Sequence, residues 1–389
     1  MTSQSLKVAV IAGEVSGDLL GADLIACIKE QCEGDVSVVG VGGDAMTAQG
    51  LRSLFDYSEL SIMGISQVLA KLPSLLKRIK QTADFLVNEK PDVLVIIDSP
   101  DFTHRVAKRV KSKLPDLPVI NYVCPSVWAW KPERAPRMRS YVDHVLALLP
   151  FEPEAMRALN GPPTTYVGHR LTNDTALLRA RDENASRAPQ TDKVCLLLPG
   201  SRRSEIDRLL PVFGDVVAQL SQRRPDIHFV LPAVPRQEQR VRELVESWSV
   251  KPDIVVGTEE KWKAFAQADA AIAASGTVIL ELALTGIPVV SVYKVDWLIK
   301  LMHMRINIWT AALPNLIADY TIIPEYVNEV VRPGSLLRWV EKLVDSTDQR
   351  RTMVNGYRDV WDRMQTERPP GATAAAIVLD YANKKPGHL

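Results

Sequence analysis

The sequence predicts an α/β protein made of two doubly wound, parallel-sheet domains. Short, unbroken apolar runs rich in valine and isoleucine alternate with helical patterns along almost the whole chain. That alternation marks parallel strands covered on both faces. The runs fall into two sets of about five, and a polar, charged stretch at 171–192 lies between them. A chain of 389 residues is also long for a single core of ordinary size.

In the first half, strands are expected at 7–12, 36–41, 93–98, 119–123 and 145–149. The second half offers 194–198, 227–231, 254–256, 270–274 and 289–292. The domain boundary is expected near Gly168. The halves resemble each other in architecture and not as a sequence repeat. One segment departs from the pattern. Residues 60–80 (LSIMGISQVLAKLPSLLKRIK) space Ile62, Met63, Ile65, Val68, Leu69, Leu72, Leu75, Leu76 and Ile79 among Lys71, Lys77, Arg78 and Lys80. The segment reads either as a cationic interfacial helix or as an ordinary surface helix packed on its sheet.

Hydrophobic residues at 46% and charged residues at 24% describe a globular protein. A net charge of +1 gives no overall attraction to nucleic acid or membrane. Charge is uneven, however. Between 105 and 139 nine Lys and Arg face only Asp116 and Glu133, which makes either a surface for an anionic partner or a solvated helix face. The four cysteines show no zinc or redox spacing, and Cys27, Cys124 and Cys195 sit in apolar contexts as inert core residues. The first apolar run is a short strand, unlike a signal peptide, and no run approaches the roughly 20 residues that span a bilayer. A cytoplasmic location is expected.

The most informative stretch is LLLPGSRRSE at 196–205. An apolar run stops at Pro199-Gly200, small and basic residues follow, and an amphipathic run starts at Ile206. Free N–H groups at a helix start favour anions, and Arg202 and Arg203 can grip a phosphate by a fork of hydrogen bonds. Residues 270–288 (AAIAASGTVILELALTGIP) repeat the plan with a carboxylate, Glu281, inside the helix. A diphosphate site beside a site for hydroxyls suggests a nucleoside-diphosphate ligand. The bland alternative is a pair of ordinary turns with solvated arginines.

In an open parallel sheet, ligands bind at the carboxyl ends of the strands. In the first half that rule selects 13–18, 40–43 and 98–101. Ser16 and Asp18 can bind hydroxyls, and Asp98, ending an apolar run, is placed to act as a base. The alternative for Asp98 is a helix N-cap, although Asp101 suits that role better. No His-x-x-x-His, Gly-x-Ser-x-Gly or Asp-x-Asp occurs. A leaving diphosphate would then be neutralised by arginines and helix N-termini, with no metal and no cofactor. Trp128-Ala129-Trp130-Lys131 could stack on bases, but overall neutrality argues against a nucleic-acid partner.

Taken together, AGEVSGD (12–18), GVGGDAM (40–46), MGISQVL (63–69), IDSPDF (97–102), YVCPSVWAWKPER (122–134), VGHRL (167–171), LPGSRRSEI (198–206), ASGTVILELALTGIPVVSVYK (274–294) and LPNLIA (313–318) resemble the lipid-A-disaccharide synthase family, glycosyltransferase family 19 of Gram-negative bacteria. The resemblance implies a GT-B fold, with an acceptor and membrane-facing domain at 1–168, a UDP-sugar domain at 169–365, and a C-terminal helix near 366–389 returning to the first. The two Rossmann-like domains would face a cleft. The implied reaction moves 2,3-diacylglucosamine from UDP to the 6-hydroxyl of 2,3-diacylglucosamine 1-phosphate, with inversion, on the cytoplasmic face of the inner membrane. Carried over residue by residue, the implied UDP ligands are Ser201, Arg202, Ser275, Gly276, Thr277, Glu281 and Asn315. Asp98 would be the general base, and Glu14, Ser16, Gly17 and Asp18 would line the sugar side. The competing classes are a UDP-sugar 2-epimerase of the same fold and a non-enzymatic lipid-binding protein.

Overall fold

The computed structural model describes residues 5–60, 65–188, 190–294 and 308–384, with 58, 60 and 65–72 at the level of the backbone. It resolves into two compact units, Met1–Arg170 with Thr366–Leu389, and Leu171–Gln365.

The first unit holds a seven-stranded, wholly parallel sheet in the order β3-β2-β1-β4-β5-β6-β7. The strands are β1 (Leu6–Ala12), β2 (Val36–Val41), β3 (Arg52–Ser53), β4 (Val93–Ile97), β5 (Val119–Tyr122), β6 (His144–Ala147) and β7 (Thr164–Tyr166). Because side chains alternate along a strand, β1 and β4 feed both faces of the sheet. Ala9, Ile11, Leu94 and Ile96 enter one core with α3 (Ile65–Glu89) and α4 (Pro100–Lys113). Val8, Val10, Val93, Val95 and Ile97 enter the other with α1 (Val15–Gln31). Double-sided burial is why these strands read as continuous hydrophobic runs.

The second unit holds a six-stranded parallel sheet in the order β10-β9-β8-β11-β12-β13. Its strands are β8 (Lys193–Leu198), β9 (Ile227–Ala233), β10 (Asp253–Val256), β11 (Ala270–Ala274), β12 (Val289–Tyr293) and β13 (Glu325–Val327). Three helices start at its carboxyl edge: α8 (Arg203–Arg223), α10 (Thr258–Gln267) and α11 (Thr277–Thr285). The remaining helices used below are α2 (Asp44–Ala48), α6 (Glu152–Ala158), and the C-terminal α15 (Pro370–Asn383). Three strands escaped the sequence pattern. β3, β7 and β13 are two or three residues long, too short for a periodic signal.

The amphipathic segment 60–80 contributes the start of α3. Ile62 and Met63 lie outside the described residues, as do the side chains of Ile65, Val68, Leu69, Lys71 and Leu72. Further along, Leu75 packs on the core, Ile79 is 1% exposed, and Leu76 is open to solvent. Arg78 pairs with Glu59 at 2.7 Å and lies over the Phe55 ring. Among the described residues, no helix is long and apolar enough to cross a membrane.

Candidate active site

In each sheet the strand order reverses once beside its first strand, between β1 and β4 in one and between β8 and β11 in the other. Loops that leave such neighbours in opposite directions open a crevice, and ligands settle there. In the second unit the crevice is a cavity of about 470 Å³ lined by Gly200, Ser201, Arg202 and Glu205 after β8, Pro232–Pro235 at the end of β9 and just beyond it, Gly257, Thr258 and Lys261 after β10, and Ser275–Val278 with Glu281 after β11. Its volume is that of a nucleotide-sized ligand.

The two strand-to-helix turns that looked alike in sequence differ in the structure. At α8, the Glu205 carboxylate folds back over its own turn and accepts from Ser201 N (3.2 Å) and Arg202 N (3.3 Å), and from the Arg202 guanidinium (2.8 Å). Gly200 allows this approach. It adopts φ 100°, and a Cβ there would stand 2.3 Å from Glu205 Oε2. The two N–H groups just before α8, which the sequence left open to an anion, are therefore taken by Glu205. Arg203 turns to Asp207 and does not line the cavity. At α11 the N-cap is Gly276, which supplies no side-chain cap, and Gly276 and Thr277 are exposed while Ser275 is half-buried. α10 likewise starts at a glycine, Gly257, without a side-chain cap. Two uncapped helix N-termini thus converge on the cavity, and each carries the partial positive charge of its exposed N–H groups.

Glu281, one turn into α11, bonds Lys261 Nζ through Oε2 at 3.0 Å, and both side chains line the cavity. Lys261 was not foreseen. In sequence it stands in Glu259-Glu260-Lys261-Trp262-Lys263, which reads as a solvated helix face.

Asn315 does not belong to this lining. Its side chain is buried at 1% exposure, accepting from Ile322 N and Ile323 N (2.9 Å each) and donating to Ile323 O and Thr310 Oγ1. With its hydrogen bonds used internally, Asn315 pins the loop that precedes β13, and the structure does not bring it together with the other expected UDP ligands.

At the carboxyl edge of the first sheet, Asp98 and Ser99 both adopt left-handed backbone angles, φ 49° and 46°. Consecutive non-glycine residues in that region are strained, and such strain collects at functional sites. The turn is held by Asp98 N–H donating to Tyr122 O (3.2 Å) and by Thr103 Oγ1 donating to Asp98 O (2.6 Å). Among the described residues the Asp98 carboxylate accepts only from its neighbour's N–H, Ser99 N at 2.8 Å, and it is half-buried. Neither aspartate caps α4. Its N-cap is Ser99, and Asp101 sits exposed in the first turn. Beside this turn, Val123 is also left-handed at φ 77°, an outlier for a β-branched residue.

Of the loop after β1, Glu14 and Ser16 are exposed and Gly17 is packed, where a Cβ would meet Ala12 Cβ at 3.2 Å. Asp18 is drawn into the fold. Its carboxylate is 4% exposed and accepts from Gly43 N (2.7 Å), Ala45 N (2.9 Å) and Met46 N (3.2 Å), capping α2. Oδ1 takes two of these bonds and Oδ2 one, so the carboxylate is committed mainly to the α2 backbone. Trp128 does not offer a stacking face either, because it packs edge-on to Phe151 and points its indole N–H at the buried Glu152. Of the basic stretch, Lys111 bonds Asp143, Lys113 bonds Asp84, and Lys108 lies over Tyr141. Burial holds His104 and His169 well below the usual histidine range, at about 4, so both rings are neutral at physiological pH.

Two doubly wound parallel sheets, the second with a nucleotide-sized crevice at its switch point, define a protein of the GT-B class. Solved structures agree on that fold. A UDP complex of MnaA from S. aureus superposes with TM-score 0.62 at 13% identity, covering 99% of this chain and 98% of that one. MurG from Acinetobacter baumannii gives 0.57 at 15% identity, covering 96% and 99%. The family model for lipid-A-disaccharide synthetase matches residues 8–376. A lipid-A-disaccharide synthase from Rhodopseudomonas palustris (strain HaA2) is 47% identical over 97% of both chains, and one from Rhodospirillum centenum is 40% identical over 98% of this chain and 96% of its own. The chain belongs to the lipid-A-disaccharide synthase family, a family of glycosyltransferases of lipid A biosynthesis.

Proposed function

We propose that the cavity of the second unit binds the UDP of UDP-2,3-diacylglucosamine and that Asp98 activates the 6-hydroxyl of 2,3-diacylglucosamine 1-phosphate. The observation that carries this reading is the crevice at the β8/β11 switch point. There the uncapped N-terminus of α11 lies next to a carboxylate suited to ribose hydroxyls. The diphosphate belongs at Ser275–Thr277, with Arg202 leaving Glu205 to meet it. Ser201 contributes through its side chain, since its N–H is taken.

The chemistry follows from these groups. The 6-hydroxyl is a weak nucleophile until Asp98 takes its proton. The new C–O bond forms at the anomeric carbon as the bond to the β-phosphate breaks on the opposite side, and UDP leaves with the electron pair. Negative charge grows on the diphosphate, where Arg202 and the helix N-termini stabilise it, and such fixed donors are worth ~10²–10³ in rate. This reading requires no metal or cofactor. Because both substrates carry acyl chains, it also places the enzyme peripherally on the cytoplasmic face of the inner membrane. There, residues 60–80 and the exposed members of the basic stretch meet lipid and phosphate.

The test is mass spectrometry of the product formed from the two lipid substrates, in buffer containing EDTA. The expected product is the disaccharide 1-phosphate together with UDP. Asp98→Asn keeps the side-chain shape and removes the base, so turnover should fall ~10²–10⁴-fold while UDP affinity barely changes. An active Asn variant would move the base elsewhere, and activity lost in EDTA but restored by Mg²⁺ would overturn the metal-free step.

A further inference from the structure

Lys261 has no part in the chemistry described above, yet among the described residues it is the cation paired with Glu281. Its Nζ lies 3.0 Å from Glu281 Oε2, and the two side chains are only 25% and 16% exposed. The ammonium is also fixed from its own helix. It lies 4.1 Å from the centre of the Trp262 ring and 5.6 Å from that of Phe265, rings that are themselves 8% and 0% exposed. A lysine seated on buried aromatic rings has far less freedom than one on an open helix face.

The bond engages one oxygen of Glu281 and leaves the other open. Among the described residues, Oε1 has no hydrogen-bond partner, and the carboxylate lines the cavity. A carboxylate held in this way has one defined rotamer and a lone-pair face directed at the ligand space. Two adjacent hydroxyls, both donors, are the chemical group that such a face accepts.

We infer that Lys261 is a positioning residue that locks Glu281 in the rotamer that accepts a vicinal diol, so that the pocket selects ribonucleotides over 2′-deoxyribonucleotides. The inference rests on the reading of the cavity as the UDP site. Lys261 itself touches no part of the ligand. Its effect is transmitted through Glu281 and is confined to the diol.

The experiment is a cycle in which the protein and the ligand are each truncated. Dissociation constants for UDP and 2′-deoxy-UDP are measured by calorimetry on the full chain, for the wild type and for Lys261→Met, with competition by inorganic pyrophosphate alongside. The wild type should prefer UDP by about tenfold or more, the size of a charge-assisted hydrogen bond. In Lys261→Met, UDP should weaken about tenfold, 2′-deoxy-UDP should be nearly unchanged, and pyrophosphate competition should stay as in the wild type. Lys261→Arg, which keeps the charge and a donor, should restore most of the discrimination and guards against a variant that folds poorly. Equal weakening of both nucleotides, or weakened pyrophosphate competition, would make Lys261 a phosphate ligand or a mere support of the fold and overturn the inference. Discrimination that survives the Met substitution overturns it as well. A wild type that binds neither nucleotide refutes the cavity assignment itself, a failure distinct from the others.

Discussion

Glu152 shows what a single buried charge does in this fold. It opens α6 at 3% exposure, and its carboxylate accepts from Leu148 N, Leu149 N and the Trp128 indole. Burial pushes its pKa up to about 7 despite those three donors, from an ordinary 4.5. The sign follows from proton linkage. Between 4.5 and about 7 the unfolded chain has released this proton while the folded one still holds it, so the group's contribution to stability falls as pH rises through that window. Above 7 the penalty is complete. Glu152→Gln removes the titration, so the wild-type stability relative to the variant should decline from pH 4.5 to 7.5 and then level off. Urea melts across that range measure it, and a flat difference would refute the assignment. Arg202 is the residue-scale test of the pocket. Its guanidinium is 74% exposed and, among the described residues, held by Glu205 alone, so Arg202→Ala should leave the melting temperature unchanged while slowing transfer ~10²-fold or more. Unchanged UDP affinity and rate in that variant would remove it from the site. At this scale the sequence was legible for position where a residue follows a strand directly, so that Asp98 and Ser275 do stand at the carboxyl edges of β4 and β11. It was opaque where a side chain is claimed by distant backbone. Nothing in the spacing of Asp18 reveals that the α2 N–H groups, some 25 residues away, will take its carboxylate. The same holds for Asn315, whose partners form only once the loop before β13 closes on it.

Elements were easier to read than residues, for a physical reason. A strand buried on both faces carries its signal in composition alone, so β1, β4, β8 and β11 stand out. Edge strands of two or three residues carry none. Helix N-termini were legible as positions but not as states. The same strand-turn-helix pattern gave a turn folded under Glu205 at α8 and one without a side-chain cap at α11, whose first turn has no carboxylate. The amphipathic segment of α3 supports a prediction at this scale. Leu75 and Ile79 belong to the core, so the membrane test uses Val68, Leu69 and Leu72 changed together to serine. A lipid-facing role predicts an unchanged melting temperature and reduced co-sedimentation with anionic vesicles, with salt weakening the wild-type binding, since each near-surface cation adds about 1 kcal/mol. A collapsed melting temperature would show that these leucines and the valine are core, and would end the membrane assignment for this segment.

Across the whole molecule, the first unit is discontinuous in sequence. The chain leaves it after Arg170 and returns at Thr366. The returning α15 buries Ala374, Ala375, Val378 and Ala382 in the core that α1 fills with Leu24, Ile25 and Ile28. Asp23 of α1 accepts a hydrogen bond from Gly371 at the start of α15, and burial raises its pKa. A chain ended at Gln365 should therefore lose the first unit to proteolysis and keep UDP binding in the second, whose residues are contiguous. Limited proteolysis with calorimetry checks this, and a truncated protein with wild-type protease resistance would show α15 to be dispensable.

That return sets a schedule for the nascent chain. α1 is made before residues 171–365, but the helix that covers its apolar stripe emerges only after they have been translated. At roughly 5–20 residues per second, that interval is on the order of ten to forty seconds. Throughout it Leu24, Ile25 and Ile28 lack their final cover, and at its end the second unit has all its residues while the first still awaits α15. The order of completion therefore runs opposite to the order of synthesis, and a ribosome paused within 171–365 would carry an unfinished first sheet dependent on chaperones.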